Sequence, residues 1–98
     1  MRLPPDYVVA IKTAAREAFG DGTVVRLFGS RVRDDLRGGD IDLHVEVDPL
    51  TDEYRAKIRF EDILFTKLPP QKVDVVVSQR GREPKAFERI AYRDGVVL

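Results

Sequence analysis

The sequence contains no cysteine, which excludes a disulfide framework and any metal site built on thiolates. It also has no excess of one charge, because seventeen Lys and Arg residues balance seventeen Asp and Glu residues. Without a global positive field, binding to the phosphates of a nucleic acid is disfavoured, and only a local basic patch would hold one. The first residues, Met1 to Pro5, have no apolar signal core, and no later apolar run reaches membrane-spanning length. These absences predict a cytoplasmic protein.

The composition is that of a folded globular chain, with 43% hydrophobic and 35% charged residues. A length of 98 residues gives room for one compact domain with a modest core. We therefore expect a single domain over residues 1–98, in which one site carries out all the chemistry.

The hydrophobic periodicity predicts an alternation of helices and strands. Apolar residues at three- and four-residue steps predict helices, and short runs of β-branched residues bounded by Gly or Pro predict strands. The order is helix, strand, short helical turn, strand, helix, strand, helix and a tail that can add an edge strand: Pro5–Phe19, Thr23–Phe28, Arg31–Arg37, Asp40–Val47, Pro49–Pro69, Lys72–Ser78, a helix from Pro84, and Val96–Leu98. This order predicts an α/β (α+β) sheet with helices packed on one face and the other face open.

Acidic residues alternate with apolar ones on the second strand. Asp40 and Asp42 are two residues apart, so their side chains project to the same side of a strand, away from the apolar face. If the third strand pairs beside the second, Asp74 lies opposite or diagonal to them. Such a cluster repels itself unless a hard divalent cation neutralises it. Taken alone, acids that alternate on a solvent-facing strand are best interpreted as ordinary surface residues. Because Asp is disfavoured in strands, these three shift the balance modestly towards a functional reason.

The first strand ends abruptly at Gly29-Ser30. A strand that turns there into a short helix leaves free backbone amides, lets a ligand approach Gly29 closely and adds the hydroxyl of Ser30, and phosphate binds well in such a place. An isolated Gly-Ser is usually only a plain turn and a helix cap. By itself the pair does not distinguish the two interpretations.

The combination is more specific than its parts: Gly29-Ser30, nine intervening residues, Asp40-Ile41-Asp42, and Asp74 within Val-Asp-Val. It resembles the nucleotidyltransferase superfamily that includes DNA polymerase β, in its minimal nucleotidyltransferase (MNT) form, the MntA-type antitoxin of HEPN/MNT pairs. The stretches 28–33 and 39–43 match that family's signature almost residue for residue, and the predicted element order agrees over essentially the whole chain. The spacer before Asp40 is one residue shorter than in many relatives, which affects the turn after Gly29 but not the acids.

The resemblance implies a mixed sheet of three to four strands, two Mg²⁺ ions, and transfer of AMP from ATP to a hydroxyl. Asp40 and Asp42 would bridge the two ions, which lie about 3.5 to 4 Å apart in such sites. Asp74 would bind the catalytic ion and help to deprotonate the acceptor. Gly29 and Ser30 would bind the β and γ phosphates of the leaving pyrophosphate.

Four further polar residues lie near these positions. Arg31 and Arg33 follow the phosphate turn, where a guanidinium can pair with the triphosphate; exposure to solvent, or a surface ion pair with a neighbouring acid, is an equal alternative. His44, the only histidine, shares the acidic face of its strand, and we expect it to be a bystander. Lys72 shares the face of Asp74 and can contact phosphate, although a lysine at the start of a strand is usually only solvated.

The leading functional hypothesis, which rests on the resemblance, is an enzyme that adenylylates a HEPN-domain toxin as its antitoxin. A chain of 98 residues has room for little beyond the catalytic half. Recognition of the acceptor would therefore come from that partner or from a second copy of the chain. One alternative is a non-catalytic antitoxin that neutralises a HEPN ribonuclease by covering it. Another is transfer to RNA or a small molecule, which the zero net charge disfavours for RNA.

Overall fold

A computed structural model of the protein describes residues 3–29 and 40–98. In these two segments the chain forms three helices and four strands. In chain order they are α1 (Pro5–Phe19), β1 (Val24–Phe28), β2 (Ile41–Val47), α2 (Glu53–Lys67), β3 (Val73–Gln79), α3 (Ala86–Asp94) and β4 (Val96–Val97). The helices and strands predicted in these two segments are all found, with shifts of one or two residues at most of their boundaries. The predicted helical turn Arg31–Arg37 lies outside the described residues.

Helix α1 has the bounds that its sequence predicts. Proline at the first helical position has no amide to leave unsatisfied, and Gly20 ends the helix with a φ of 111° that favours glycine. The helix buries one stripe, which includes Ile11, Ala14 and Ala15. Alanine at two of these positions lets α1 approach its neighbours closely.

The four strands form one mixed sheet in the order β3-β2-β1-β4. β2 pairs antiparallel with β1 and parallel with β3, and β4 pairs antiparallel with β1 at the edge. A parallel neighbour requires a crossover connection, and α2 lies in the connection between β2 and β3. The predicted α+β fold with a mixed sheet is confirmed.

The main core lies between the sheet and the pair α1 and α2. The apolar residues that alternate along β2 are all completely buried and belong to one cluster with residues of both helices: Ile41, Leu43, Val45 and Val47. In that cluster the rings of Phe19 and Phe60 lie 5.7 Å apart between centroids. The alternation places Asp42, His44 and Glu46 on the other face of the sheet.

Helix α3 departs from the expectation that all helices share one face. Its Phe87, Glu88 and Tyr92 contact the side of the sheet that carries Asp42 and His44. The sequence predicts a helix there, but its short apolar stripe does not say which face of the sheet it covers. The second sheet face is therefore partly covered: among its described residues His44 and Ser78 are buried, whereas Asp42 is half-buried and Asp74 exposed.

The starts of the later helices also differ slightly from expectation. The N-cap of α2 is Asp52, whose carboxylate accepts a hydrogen bond of 3.0 Å from the amide of Arg55, and not the neighbouring Thr51. Both residue types cap helices well, so the local pattern alone does not separate them. None of the helices in the two described segments is long and apolar enough to cross a membrane.

Candidate active site

The carboxylates of Asp42 and Asp74 lie side by side on neighbouring strands. In the parallel register of β2 and β3, Asp42 is the direct partner of Asp74. Paired residues project to the same face, at the strand spacing of about 4.8 Å. Asp42 is half-buried and Asp74 is exposed. The structure thus brings together two acids that are 32 positions apart in the sequence, on a face that solvent can reach.

Asp40 lies just before β2 and is held at the same end of the sheet. The amide of Ile41 donates a 3.2 Å hydrogen bond to the carbonyl of Lys72, which aligns the starts of β2 and β3. The ammonium of Lys72 lies 3.4 Å from the Asp40 carboxylate. Both side chains are well exposed, so this ion pair contributes little stability. Because the pair is weak, the Lys72 ammonium can leave Asp40 and pair with another anion at little cost.

Gly29 ends β1 directly beside Asp42. Its φ of 78° lies in the left-handed region, and an added Cβ would overlap the Asp42 carboxylate. Two independent constraints, backbone conformation and space, thus require glycine here. Since Phe28 is the register partner of Asp42, the antiparallel pairing of β1 with β2 produces this close approach. The backbone that follows β1 begins in contact with a carboxylate of the site.

The electrostatics of the cluster favour a bound cation. Partial burial raises the pKa of Asp42, and the negative charges of Asp74 and Asp40 raise it further, while Lys72 opposes the shift. The neighbouring carboxyl group of Asp74 raises this pKa as well when the two groups share a proton. A carboxyl group that is hard to ionise among other carboxylates is stabilised as an anion by a divalent metal.

The carboxylates at this end of the sheet are oxygen ligands of the kind that Mg²⁺ takes. No three His, Cys, Asp or Glu side chains within residues 3–29 and 40–98 are grouped as a full metal site. Mg²⁺ usually keeps several waters and binds through one or two carboxylates together with substrate phosphates. The adjacent carboxylates of Asp42 and Asp74 provide such a partial set, with Asp40 at the same end of the sheet.

Three of the residues that the sequence singles out, Ser30, Arg31 and Arg33, lie outside the described residues. Their predicted contacts with phosphate stay predictions. The remaining predicted site residues, Gly29, Asp40, Asp42 and Asp74, all lie at one end of the central strands.

The sequence interpretation missed a polar cluster under α3. His44 is completely buried, and its Nε2 lies 2.8 Å from Ser78 Oγ. The Ser78 hydroxyl donates at 2.5 Å to Glu88. Because that hydroxyl has one proton, His44 must be the donor in the first bond, which leaves its Nδ1 unprotonated. Nδ1 is buried without a hydrogen-bond partner in the described part of the chain. His44 is thus a bystander to the acids, as expected, but it is also part of the interface with α3.

Glu46 belongs to a second network and not to the acidic site. Its carboxylate accepts hydrogen bonds of 2.9 Å from both Arg26 and Arg80, and these hydrogen bonds lower its pKa although burial opposes them. Arg80 also donates to Asp48 and to the carbonyl of Gly22. This network ties β1, β2 and the end of β3 together at the end of the sheet away from Asp42. No local sequence signal reveals it, because its members are far apart in the chain.

The buried histidine predicts a specific dependence of stability on pH. Burial lowers the pKa of His44, and the nearby charge of Arg26 lowers it further, against Glu46 and Glu88. Below pH of about 6.5 the unfolded chain binds a proton that the folded His44 does not accept. The free energy of unfolding should therefore fall on acidification below that pH, by up to about 1.4 kcal/mol per pH unit, until the folded His44 also titrates.

Urea unfolding between pH 7.5 and 5.5 (about one unit each side of the ordinary histidine pKa), without divalent cations, measures this effect. His44 is the only histidine, so the difference between wild type and His44→Gln isolates it from the carboxyl groups. If the difference in unfolding free energy between wild type and His44→Gln does not change with pH, His44 is protonated as easily in the folded protein as in the unfolded one.

A comparison with known families finds a match along most of the chain. The family model described as nucleotidyltransferase domain matches residues 8–97. No curated protein matches the chain. The matched range includes all seven residues that the sequence analysis proposed for the site.

Proposed function

Because this chain belongs to the nucleotidyltransferase domain family, we propose that it transfers AMP from ATP to a hydroxyl of a partner protein in the cytoplasm, with Mg²⁺ bound at Asp40, Asp42 and Asp74. The family match confirms the resemblance to nucleotidyltransferases and supports nucleotidyl transfer as the general activity. The MntA-type antitoxin identity remains a prediction. The observation that carries the proposal is the contact of Gly29 with Asp42, which itself lies beside Asp74.

This arrangement suits the binding of a triphosphate. Gly29 offers backbone without a side chain, so a phosphate group can approach the end of β1 closely. Asp42 lies next to that backbone and Asp74 lies beside Asp42, and their charge would hold Mg²⁺ against the phosphates. The Lys72 ammonium, now beside Asp40, can pair with a phosphate oxygen when ATP is bound.

In the proposed reaction the acceptor oxygen attacks the α-phosphorus, and the bond from that phosphorus to the bridging oxygen of the β-phosphate breaks. The products are an adenylylated hydroxyl and pyrophosphate, and the hydroxyl proton leaves through Asp74 to solvent. Mg²⁺, when bound, neutralises the triphosphate and polarises the oxygens around the α-phosphorus. Asp74 is exposed, so it is the carboxylate that an incoming hydroxyl can reach. Asp42 is half-buried and in contact with Gly29, so it would serve to hold the metal and not to accept the proton.

A protein acceptor is favoured by the openness of the site and by the charge of the chain. Asp74 lies on an exposed part of the sheet, which a hydroxyl on the surface of another protein can approach. The zero net charge gives no general attraction for RNA. The resemblance to minimal nucleotidyltransferases supports a HEPN-domain toxin as the partner, with this chain as its antitoxin.

The test is incubation of the purified chain and a HEPN partner with Mg²⁺ and ATP labelled at the α-phosphate. We expect label on the partner and none when the label is on the γ-phosphate, because pyrophosphate leaves. Mass spectrometry of the partner should show an added AMP on a hydroxyl side chain. Label on RNA or on a small molecule offered in the same reaction would instead support those acceptors.

The non-catalytic alternative gives a different result in the same experiment. An antitoxin that acts by covering its partner would neutralise the ribonuclease without ATP. An Asp74→Asn variant would then neutralise it as well as wild type does. Under the catalytic proposal, neutralisation requires ATP and the variant is inactive.

A further inference from the structure

A pair of aromatic rings borders the carboxylates on the side away from Asp74. The rings of Phe28 and Phe87 meet edge to face, with centroids 6.0 Å apart and an angle of 78°. Phe28 is half-buried, whereas Phe87 is 57% exposed. The edge-to-face contact fixes the position of the Phe87 ring while most of its surface stays in contact with water.

The strand register places this pair next to the proposed active site. Phe28 is the cross-strand partner of Asp42, so their Cβ atoms lie about 5 Å apart on the same face of the sheet. On the other side of Asp42 lies Asp74. Across the sheet the order is therefore Asp74, Asp42 and Phe28, and the ring of Phe87 packs against Phe28. A ligand held at the carboxylates has this aromatic pair as its apolar neighbour.

The surroundings of Phe87 indicate a small planar ligand and not a broad protein contact. The first turn of α3 and the loop before it are charged, with Glu83 bound to Arg89 at 2.8 Å and the Glu88 carboxylate accepting from the amide of Lys85 at 3.0 Å. Apart from Phe87, the large apolar side chain that α3 exposes is Ile90. The exposed apolar area around Phe87 is thus small, and its one aromatic ring, with charged neighbours, matches the size of a nucleobase.

We propose that Phe87 is the residue on which the nucleobase of the bound nucleoside triphosphate stacks. This inference rests on the proposed function, since it needs a triphosphate at Asp42 and Asp74. The ring anchors the base while the carboxylates hold the phosphates through the metal, so the α-phosphorus between the two anchors has a defined position. Phe87 is a positioning residue, and it does not touch the reacting atoms.

Stacking on a phenyl ring has a clear consequence for specificity. Every base has a π-face, so a ring without polar atoms distinguishes bases by size more than by identity. We expect purine triphosphates to bind more tightly than pyrimidine triphosphates, with little difference between ATP and GTP from this contact.

The experiment is calorimetric titration of the whole chain with ATP and, separately, with inorganic tripolyphosphate, both with Mg²⁺. For Phe87→Ala we expect the affinity for ATP to fall about tenfold, because stacking of a base on an exposed ring contributes a binding free energy near the lower end of the usual range for stacking. The affinity for tripolyphosphate, which has no base, should stay unchanged. Phe87→Tyr, which retains a ring, should bind ATP as wild type does. In wild type the adenine proton resonances should shift upfield on binding, and the shift should disappear in Phe87→Ala.

Ile90→Ala is the matched control, because Ile90 is exposed on the same helix, 46% against 57% for Phe87, but has no ring. The Ile90→Ala substitution should change neither the affinity for ATP nor the affinity for tripolyphosphate. The thermal midpoint of each variant, measured without ligand, shows whether α3 remains folded.

Unchanged ATP affinity in Phe87→Ala would overturn the inference and leave the proposed function standing. Equal losses of ATP and tripolyphosphate would also overturn it, because the ring would then act through the fold of the phosphate site. If wild type binds neither ligand, the proposed function itself fails. If Phe87→Ala binds ATP normally but no longer associates with its partner protein, the ring is a docking residue and the inference is wrong.

Discussion

Asp42→Asn should lower nucleotidyl transfer by about 10³-fold or more. The amide keeps the size of the carboxylate but loses the charge that would hold the metal against the triphosphate. Metal ions contribute several kcal/mol of transition-state stabilisation in such sites. Each 1.36 kcal/mol corresponds to about a tenfold change in rate. The measurement is the initial rate of label transfer from ATP at saturating Mg²⁺. Asp62→Asn, which changes an exposed carboxylate on α2, is the matched control and should retain full activity.

The stability of Asp42→Asn separates a functional role from a structural one. Burial and neighbouring acids raise the pKa of Asp42, so its ionised form costs the folded protein free energy at neutral pH. Without divalent cations the variant should therefore unfold at an equal or higher temperature than wild type. A large loss of stability together with the loss of activity would mean that Asp42 supports the fold, contrary to our assignment.

Gly29→Ala should lower activity by about 10²-fold or more while the protein remains folded. A left-handed φ costs an alanine about 1 to 2 kcal/mol, and the added methyl group would overlap the carboxylate of Asp42. Either the carboxylate turns away or the end of β1 moves, and a displacement of about 1 Å near the reacting groups costs about 10²-fold. The measurements are the rate of label transfer and the affinity for Mg²⁺ and ATP.

Gly81→Ala is a control that isolates the effect of space from the effect of strain. Gly81 has a similar φ of 89°, but an added Cβ meets nothing within 4 Å. This variant should lose about 1 to 2 kcal/mol of stability and none of its activity. If both glycine variants lost activity equally, backbone strain and not the approach to Asp42 would be responsible.

Local patterns in the chain predict most of the fold. The helical stripe of α1 and the strict alternation from Ile41 to Val47 depend on neighbouring residues, and both elements form with nearly the predicted bounds. The alternation also predicts that Asp42 projects away from the core, as it does. Helix α3 is recognisable from its own sequence, but its place on the sheet depends on contacts with Arg26, His44 and Ser78, which lie on other elements.

The candidate site is predictable to a similar extent. Gly29 and the two acids before and within β2 are close in sequence and form a motif that can be read directly. The aromatic pair of Phe28 and Phe87 has no such signal, because its members are 59 positions apart and each is an ordinary apolar residue in its own element. The burial of His44 is likewise not visible locally, since β2 alone shows it on a polar face.

By itself, the sequence determined the types and order of the elements, the turn at Gly29 and the side of β2 on which Asp42 lies, because each of these follows from residues a few positions apart. The tertiary structure alone decided that β3 lies parallel to β2 in the register that sets Asp74 beside Asp42, and that α3 covers the acidic face next to them. Strand register and helix placement are chosen by packing between distant segments, and no local spacing in the chain encodes that choice.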